Sequence, residues 1–145
     1  MDKLVIKSPA FEANQKIPKK YTCEGDGINP PLTIEGIPNQ TKSLALIFDD
    51  PDAVNGVFNH WIMWNIPAST AKIEENSASG IEGVNSGHRK GYYPPCPPSG
   101  SHRYIFKIYA LNQTINLPES TKKPALQKAI HDHILAEGEL VGIYR

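Results

Sequence analysis

The spacing of apolar residues predicts a chain built mostly from short strands. Residues 43–48 form a near-continuous apolar run that stops at the acidic turn of residues 49–52, and a run of this length is typical of a buried central strand. Residues 32–37 and 60–66 are β-prone runs, each closed by a proline, which predicts two further strands. Residues 103–111 are dense in aromatic and β-branched side chains and predict the strongest strand of all.

The C-terminal part of the chain predicts a helix and then a final strand. Thr121 suits the N-cap and Pro124 falls in the first turn, where the missing N–H of proline is tolerated. Apolar residues then recur at helical spacing up to Ile134, and Gly138 ends the run. Residues 139–145 are β-prone. Residues 68–101 predict a long loop, and loops of this length in small domains are often functional.

Length and charge restrict the class of protein. A chain of 145 residues has the length of one domain, so we expect residues 1–145 to form a single, mostly β domain. Basic and acidic residues number 15 each and leave no net charge, which argues against nucleic acid as a partner. The sequence shows neither a signal peptide nor an apolar stretch of membrane-spanning length. We therefore expect a cytoplasmic protein without stable membrane insertion.

Several kinds of catalytic and cofactor site have no signature in the sequence. Cys23 and Cys96 are the two cysteines, and they are too few for a disulfide framework and lack metal-ligand spacing. We predict two free thiols in a reducing compartment. The chain has no nucleotide-binding glycine loop, no nucleophile elbow and no His-Glu-x-x-His motif. We therefore expect no cofactor, no metal site and no catalytic residue.

Polar residues beside two predicted strands are candidate ligand contacts. In an extended chain Asp50 and Asp52 would point the same way, although the pattern alone is more typical of a polar turn. His102 and Tyr104 share one face of a strand, and an imidazole next to a phenol is a plausible small-ligand corner.

A second group of candidates is weaker when taken alone. Strand periodicity places His60 on one face with Ile62 and Trp64, where a lone histidine is usually structural. The proline-rich run of residues 91–100 would make a stiff pocket wall; a linker, or a docking site for a proline-binding partner, is the alternative. Three histidines are interpreted as surface or edge residues: His88, His131 and His133.

Five stretches together resemble the phosphatidylethanolamine-binding protein family, specifically its bacterial and archaeal Raf-kinase-inhibitor-like branch. They are residues 21–25 with 29–32, 44–53, 60–61 with 65–67, 96–104, and 133–137 with 139–142. The motif Asp50-Pro51-Asp52-Ala53 and the run Pro-Pro-Ser-Gly-Ser-His-Arg-Tyr at residues 97–104 are weak apart and highly specific together.

The resemblance implies both a fold and a site. The fold is a sandwich of antiparallel β-sheets with a few short peripheral helices, and the site is a cavity that accepts phosphate and similar anions, including the phosphoethanolamine head group. By position, the family's ligand-binding residues fall on Asp50, Asp52, Phe58, His60, Pro98, His102 and Tyr104.

Three departures from the family pattern change the expected site. Pro94 stands where the family usually has glycine, so we expect a differently shaped pocket mouth. Val54-Asn55-Gly56 replaces the usual proline after Asp-Pro-Asp-Ala, so we expect a looser loop. The sequence ends at Arg145, without the extension that can cover the pocket in eukaryotic members, so we expect an open site.

These features suggest a function and its alternatives. The resemblance favours a regulatory module that binds a small phosphate-containing or acidic ligand, with a protein kinase or a serine protease as a candidate inhibited partner, and not an enzyme. The alternative is an enzyme that processes phosphoesters with the Asp/His pocket, through a metal or by acid–base chemistry. A third reading is a structural sandwich with an incidental cavity.

Overall fold

The protein is mostly β in the computed structural model, which describes residues 2–145. None of the helices in those residues has the length and apolar character needed to cross a membrane. In chain order the elements are β1 (Asp2–Lys3), β2 (Val5–Lys7), a 3₁₀ turn (Lys19–Tyr21), β3 (Leu32–Glu35), β4 (Ser43–Asp50), β5 (Phe58–Pro67), β6 (Lys72–Ile73), β7 (Ile81–Glu82), β8 (His102–Leu111), α1 (Lys123–Ile130) and β9 (Ile134–Tyr144).

The strands form two sheets that pack face to face. The larger sheet has the order β1-β9-β8-β4-β5-β7 and the smaller has the order β2-β3-β6. Strand pairs are antiparallel, apart from the parallel pair of β1 and β9. Ile34 of the smaller sheet and Phe106 of the larger sheet belong to one shared core. The predicted β-sandwich is confirmed.

The centre of the larger sheet is buried on both faces, which explains the continuous apolar run in the sequence. Leu46 and Phe48 on β4 face the core between the sheets. Ile47 faces a second core that lies under α1 and includes Leu126 and Ile130 of that helix. All eight residues of β4 are buried, which confirms the predicted central strand.

The predicted helix was wrong at both ends. Its N-cap is Lys122 instead of Thr121, and it ends at Ile130, so the apolar repeat near Ile134 belongs to β9. Gly138 does not end a helix but lies within that strand, where a Cβ would come within 2.2 Å of the Leu4 carbonyl oxygen. Its lack of a side chain therefore lets β9 approach the first strands closely. The predicted long loop, in turn, contains β6 and β7 at sheet edges.

The prediction of two free thiols was wrong, because Cys23 and Cys96 form a disulfide. The main-chain N–H of Cys23 donates to the Pro95 carbonyl at 3.1 Å, and the two cysteine Cα atoms lie 5.4 Å apart. The sequence hid this pair because 73 residues separate the cysteines. The free-thiol prediction had assumed a reducing compartment, where disulfides are rare.

We predict that breaking this disulfide destabilises the fold. A cross-link over so long a loop restricts the unfolded chain, so replacing both cysteines with serine should lower the free energy of unfolding by about 2–4 kcal/mol. Urea titrations with and without reductant measure the change, and the double variant, which has no disulfide to reduce, is the control for the reductant. Equal unfolding midpoints for the oxidised and reduced wild type would contradict the prediction.

Candidate functional site

A cavity of about 480 Å³ opens beside the end of β4 and the starts of β5 and β8. This volume lies in the range of small-molecule sites. The structure brings six of the seven predicted ligand-binding residues into its lining: Asp50, Phe58, His60, Pro98, His102 and Tyr104.

A buried hydrogen bond joins the carboxylate and one imidazole of the cavity. His102 Nδ1 lies 2.7 Å from Asp50 Oδ2, and both residues are buried. Since an ionised carboxylate only accepts hydrogen bonds, Nδ1 carries the proton and donates it. The other ring nitrogen, Nε2, makes no hydrogen bond to residues 2–145, and it is the nitrogen left for a ligand.

Asp52, the seventh predicted residue, does not line this cavity. The second carboxylate oxygen of Asp50 accepts the Asp52 N–H at 2.8 Å, so the chain turns here instead of staying extended. The Asp52 carboxylate accepts from Arg103 Nε at 3.0 Å and from its terminal nitrogen at 2.9 Å. These hydrogen bonds lower the pKa of Asp52 to about 2. Asp52 therefore holds the turn against β8 from outside the cavity.

His60 enters the cavity because β5 contains a bulge. Phe48 pairs with Trp61 and Asp49 with Asn59, so His60 is an extra residue without a partner on β4. Its ring lies against Phe48 of the inter-sheet core, at 5.6 Å between centroids. The prediction that His60 shares the face of Ile62 and Trp64 was wrong, since those two residues belong to the core under α1. A bulge breaks the alternation on which that prediction relied.

Two hydrogen bonds fix His60 against the proline-rich loop. The Tyr93 N–H donates to the His60 carbonyl at 2.8 Å, and His60 Nδ1 lies 2.7 Å from the Tyr93 carbonyl oxygen. A carbonyl only accepts, so Nδ1 of His60 carries a proton too. Burial lowers the pKa of His60 below its ordinary value of 6.5, although the bond to Tyr93 opposes this. The ring is therefore neutral at pH 7, with Nε2 as an acceptor.

Tyr104 contributes a hydroxyl that stays protonated. Burial, with a smaller contribution from the Asp50 charge, raises the pKa of Tyr104 well above its usual value. Its ring lies edge-on to His60 at 5.4 Å and roughly parallel to His102 at 6.4 Å. The phenol therefore offers a hydroxyl donor near both imidazoles.

The remaining lining comes from the loops. The proline-rich run contributes Tyr93, Cys96, Pro97 and Pro98, and the disulfide ties this run to the segment around Cys23. The predicted ligand-binding residues did not include Ser86 or residues 53–57, which also line the cavity. The sequence could have indicated residues 53–57 as cavity lining, since they join two predicted strands that hold predicted site residues. Nothing in the sequence indicated Ser86.

The other histidines lie away from this cavity. His88 is exposed with a left-handed φ of 62°, and His131 and His133 follow the last residue of α1. Within the described part of the chain, no three His, Cys, Asp or Glu side chains are grouped closely enough to hold a metal ion.

Comparisons with known proteins agree with this architecture. Residues 7–145 match the family model for phosphatidylethanolamine-binding protein. A UPF0098 protein of Methanothermobacter thermautotrophicus is 42% identical, with 97% of each chain covered, and one of Pyrococcus horikoshii is 47% identical over 99% of this chain and 78% of its own. The crystal structure of a phosphatidylethanolamine-binding protein homolog from Chlamydia trachomatis superposes with a TM-score of 0.96 at 38% identity, covering 100% of this chain and 99% of the other.

A more distant structure shares the fold. Escherichia coli YbcL, described as a member of the mammalian PEBP family, superposes with a TM-score of 0.91 at 24% identity, covering 99% of this chain and 98% of its own. On the family match and the identity to its relatives, the chain belongs to the phosphatidylethanolamine-binding protein family.

Proposed function

We propose that the cavity binds a small phosphate-containing anion and that the protein acts as a regulatory binding module. One observation carries the proposal: His60 and His102 both use Nδ1 in internal hydrogen bonds, which leaves both Nε2 atoms for a ligand. The protonated hydroxyl of Tyr104 adds a third polar group. Three groups around one cavity suit the oxygens of a phosphate.

Binding of an anion at these groups requires protons. A neutral imidazole with its proton on Nδ1 presents an acceptor at Nε2, and an acceptor repels an anionic oxygen. Either the imidazoles gain protons at Nε2, or the ligand supplies a proton of its own. Asp50 lies next to His102 and balances a positive charge on that ring. We therefore expect proton uptake to accompany binding.

The apolar lining supports an organic group attached to the phosphate. Phe58, Pro97 and Pro98 lie along the cavity wall, while Val54 and Val57 at its edge are 80% and 56% exposed. Exposed apolar side chains beside a polar site suit a partner larger than an ion. A phosphate ester, either free or carried by a protein, fits this combination.

We predict that anion affinity strengthens as pH falls from about 8 to about 6, because protonated imidazoles donate where neutral ones only accept. Burial lowers the pKa of His60, so strengthening should continue below pH 6.5, the ordinary value for histidine. Sulfate has no proton to supply in this range, so its affinity should depend on pH more steeply than that of phosphate. Calorimetric titration with both anions measures the two dependences.

Two single-residue variants test whether the cavity imidazoles cause this pH dependence. His102→Ala should weaken phosphate binding about tenfold or more, as expected for loss of a hydrogen bond to a charged group. His88→Ala removes an exposed histidine outside the cavity lining and should leave binding unchanged. An affinity that is flat with pH, or that survives the loss of His102, would show that the imidazoles are structural.

We also predict that Tyr104→Phe weakens phosphate binding about three- to tenfold without changing its pH dependence. The substitution removes a hydroxyl that stays protonated throughout this pH range, and it keeps the buried ring. Tyr109→Phe is the matched control, since Tyr109 is partly buried on the same strand but lies outside this cavity. Equal losses in the two variants would mean that the Tyr104 hydroxyl does not contact the ligand.

We propose inhibition of a protein kinase or a serine protease as the regulatory output, on the strength of family membership and the exposed valines at the cavity.

We further propose that the protein is not an enzyme, since His102 Nε2 has no serine, threonine or cysteine donor within hydrogen-bond reach in residues 2–145. A cytoplasmic location stays a prediction, which cell fractionation tests.

A single pair of assays separates the regulatory role from the enzymatic one. For a protease or kinase that the protein inhibits, excess inorganic phosphate should relieve the inhibition, because it occupies the same cavity. The protein alone should release no phosphate from phosphoethanolamine. Release that His60→Ala abolishes would establish the enzymatic alternative, and inhibition that phosphate does not relieve would place the inhibitory surface elsewhere.

A further inference from the structure

The loop of residues 53–57 combines exposure, open space around Gly56 and a reactive pair of residues. Asn55 and Gly56 are both exposed, and both line the cavity. They are the one Asn-Gly pair in the sequence. A Cβ built on Gly56 would meet no atom within 4 Å, and its φ of 103° is one that residues with side chains rarely adopt.

We propose that Asn55 is a site of spontaneous deamidation, which places a new carboxylate at the mouth of the cavity. The main-chain nitrogen of Gly56 attacks the side-chain carbonyl carbon of Asn55 and forms an N–C bond. The bond from that carbon to the side-chain nitrogen breaks, and ammonia leaves with the proton of the Gly56 amide. Water then opens the five-membered imide at either carbonyl, giving aspartate or isoaspartate without any oxidation or reduction.

Local geometry favours this reaction at Asn55. Asn55 is exposed, and glycine has no side chain to obstruct the attack. The Gly56 N–H donates to the Ala53 carbonyl at 3.2 Å, at the long end of the range for such bonds, and this bond opens before the nitrogen attacks. The asparagine–serine pair at Asn85 is a contrast, because Asn85 is 1% exposed and its amide donates to the Gly91 carbonyl.

The consequence for ligand binding rests on the proposed function. The unmodified chain has no formal net charge, and deamidation adds one negative charge beside a cavity that already contains Asp50. A carboxylate at the mouth repels an approaching anion, and salt weakens this repulsion because the loop is exposed. The modification would therefore lower anion affinity as the protein ages.

The chemical step is tested by incubating the full-length protein in water enriched in heavy oxygen, followed by proteolysis and tandem mass spectrometry. We expect Asn55 to be converted faster than any other asparagine and to carry one heavy oxygen in its new carboxyl group. The Asn-Ser pair at Asn76 is the internal reference, and Asn55→Gln, which cannot form the five-membered ring, is the negative control. Conversion at Asn55 no faster than at Asn76 would overturn the proposal.

The effect on binding is tested with Asn55→Asp. This variant should bind inorganic phosphate about two- to fivefold more weakly than wild type at low salt, with a smaller difference at high salt. Asn39→Asp adds the same charge in an exposed segment outside the cavity lining and is the matched control. Equal affinities for both variants and the wild type would overturn the predicted effect. Absence of phosphate binding by the wild type would instead refute the proposed function, and the predicted effect with it, while the labelling result at Asn55 stands by itself.

Discussion

The hydrogen bond between Asp50 and His102 determines the chemistry of the cavity. It joins the end of β4 to the start of β8, and because it occupies Nδ1 of the ring, it leaves Nε2 for a ligand. The second oxygen of Asp50 accepts the Asp52 N–H and so holds the turn that leads into the rim of the cavity. One buried carboxylate therefore orients a ligand-facing group and shapes the loop beside it.

The second imidazole of the site, that of His60, is positioned by the bulge in β5. The bulge at His60 turns this residue from the face under α1 toward the core between the sheets, and the proline-rich loop holds it through Tyr93. The Cys23–Cys96 disulfide ties the same loop to the segment around Cys23. Rigid strands and a cross-linked loop thus position two imidazoles in advance, which reduces the entropy lost when a ligand binds.

The sequence predicted the fold and most of the cavity because those signals are local or belong to the family motif. The burial of β4 follows from its short continuous apolar run, and the shared face of His102 and Tyr104 follows from strand periodicity. The errors have nonlocal causes: the bulge at His60 depends on the register with β4, and the disulfide joins residues 73 positions apart. The error at Asp52, by contrast, has a local cause. Its N–H donates to the Asp50 carboxylate, and this hydrogen bond forms a turn where the prediction assumed an extended chain.

The central claim is that Nε2 of His60 and Nε2 of His102 are available to an anion, and the protonation state of these two atoms tests it most directly. Nitrogen-15 NMR of the imidazoles, recorded at neutral pH with and without phosphate, distinguishes an unprotonated Nε2 from a protonated one. Without phosphate, His60 should carry its proton on Nδ1, as its bond to the Tyr93 carbonyl requires. Phosphate should shift the Nε2 signals of both His60 and His102 together as they gain a hydrogen bond or a proton. Signals of both rings that stay unchanged at saturating phosphate would contradict an anion site in this cavity.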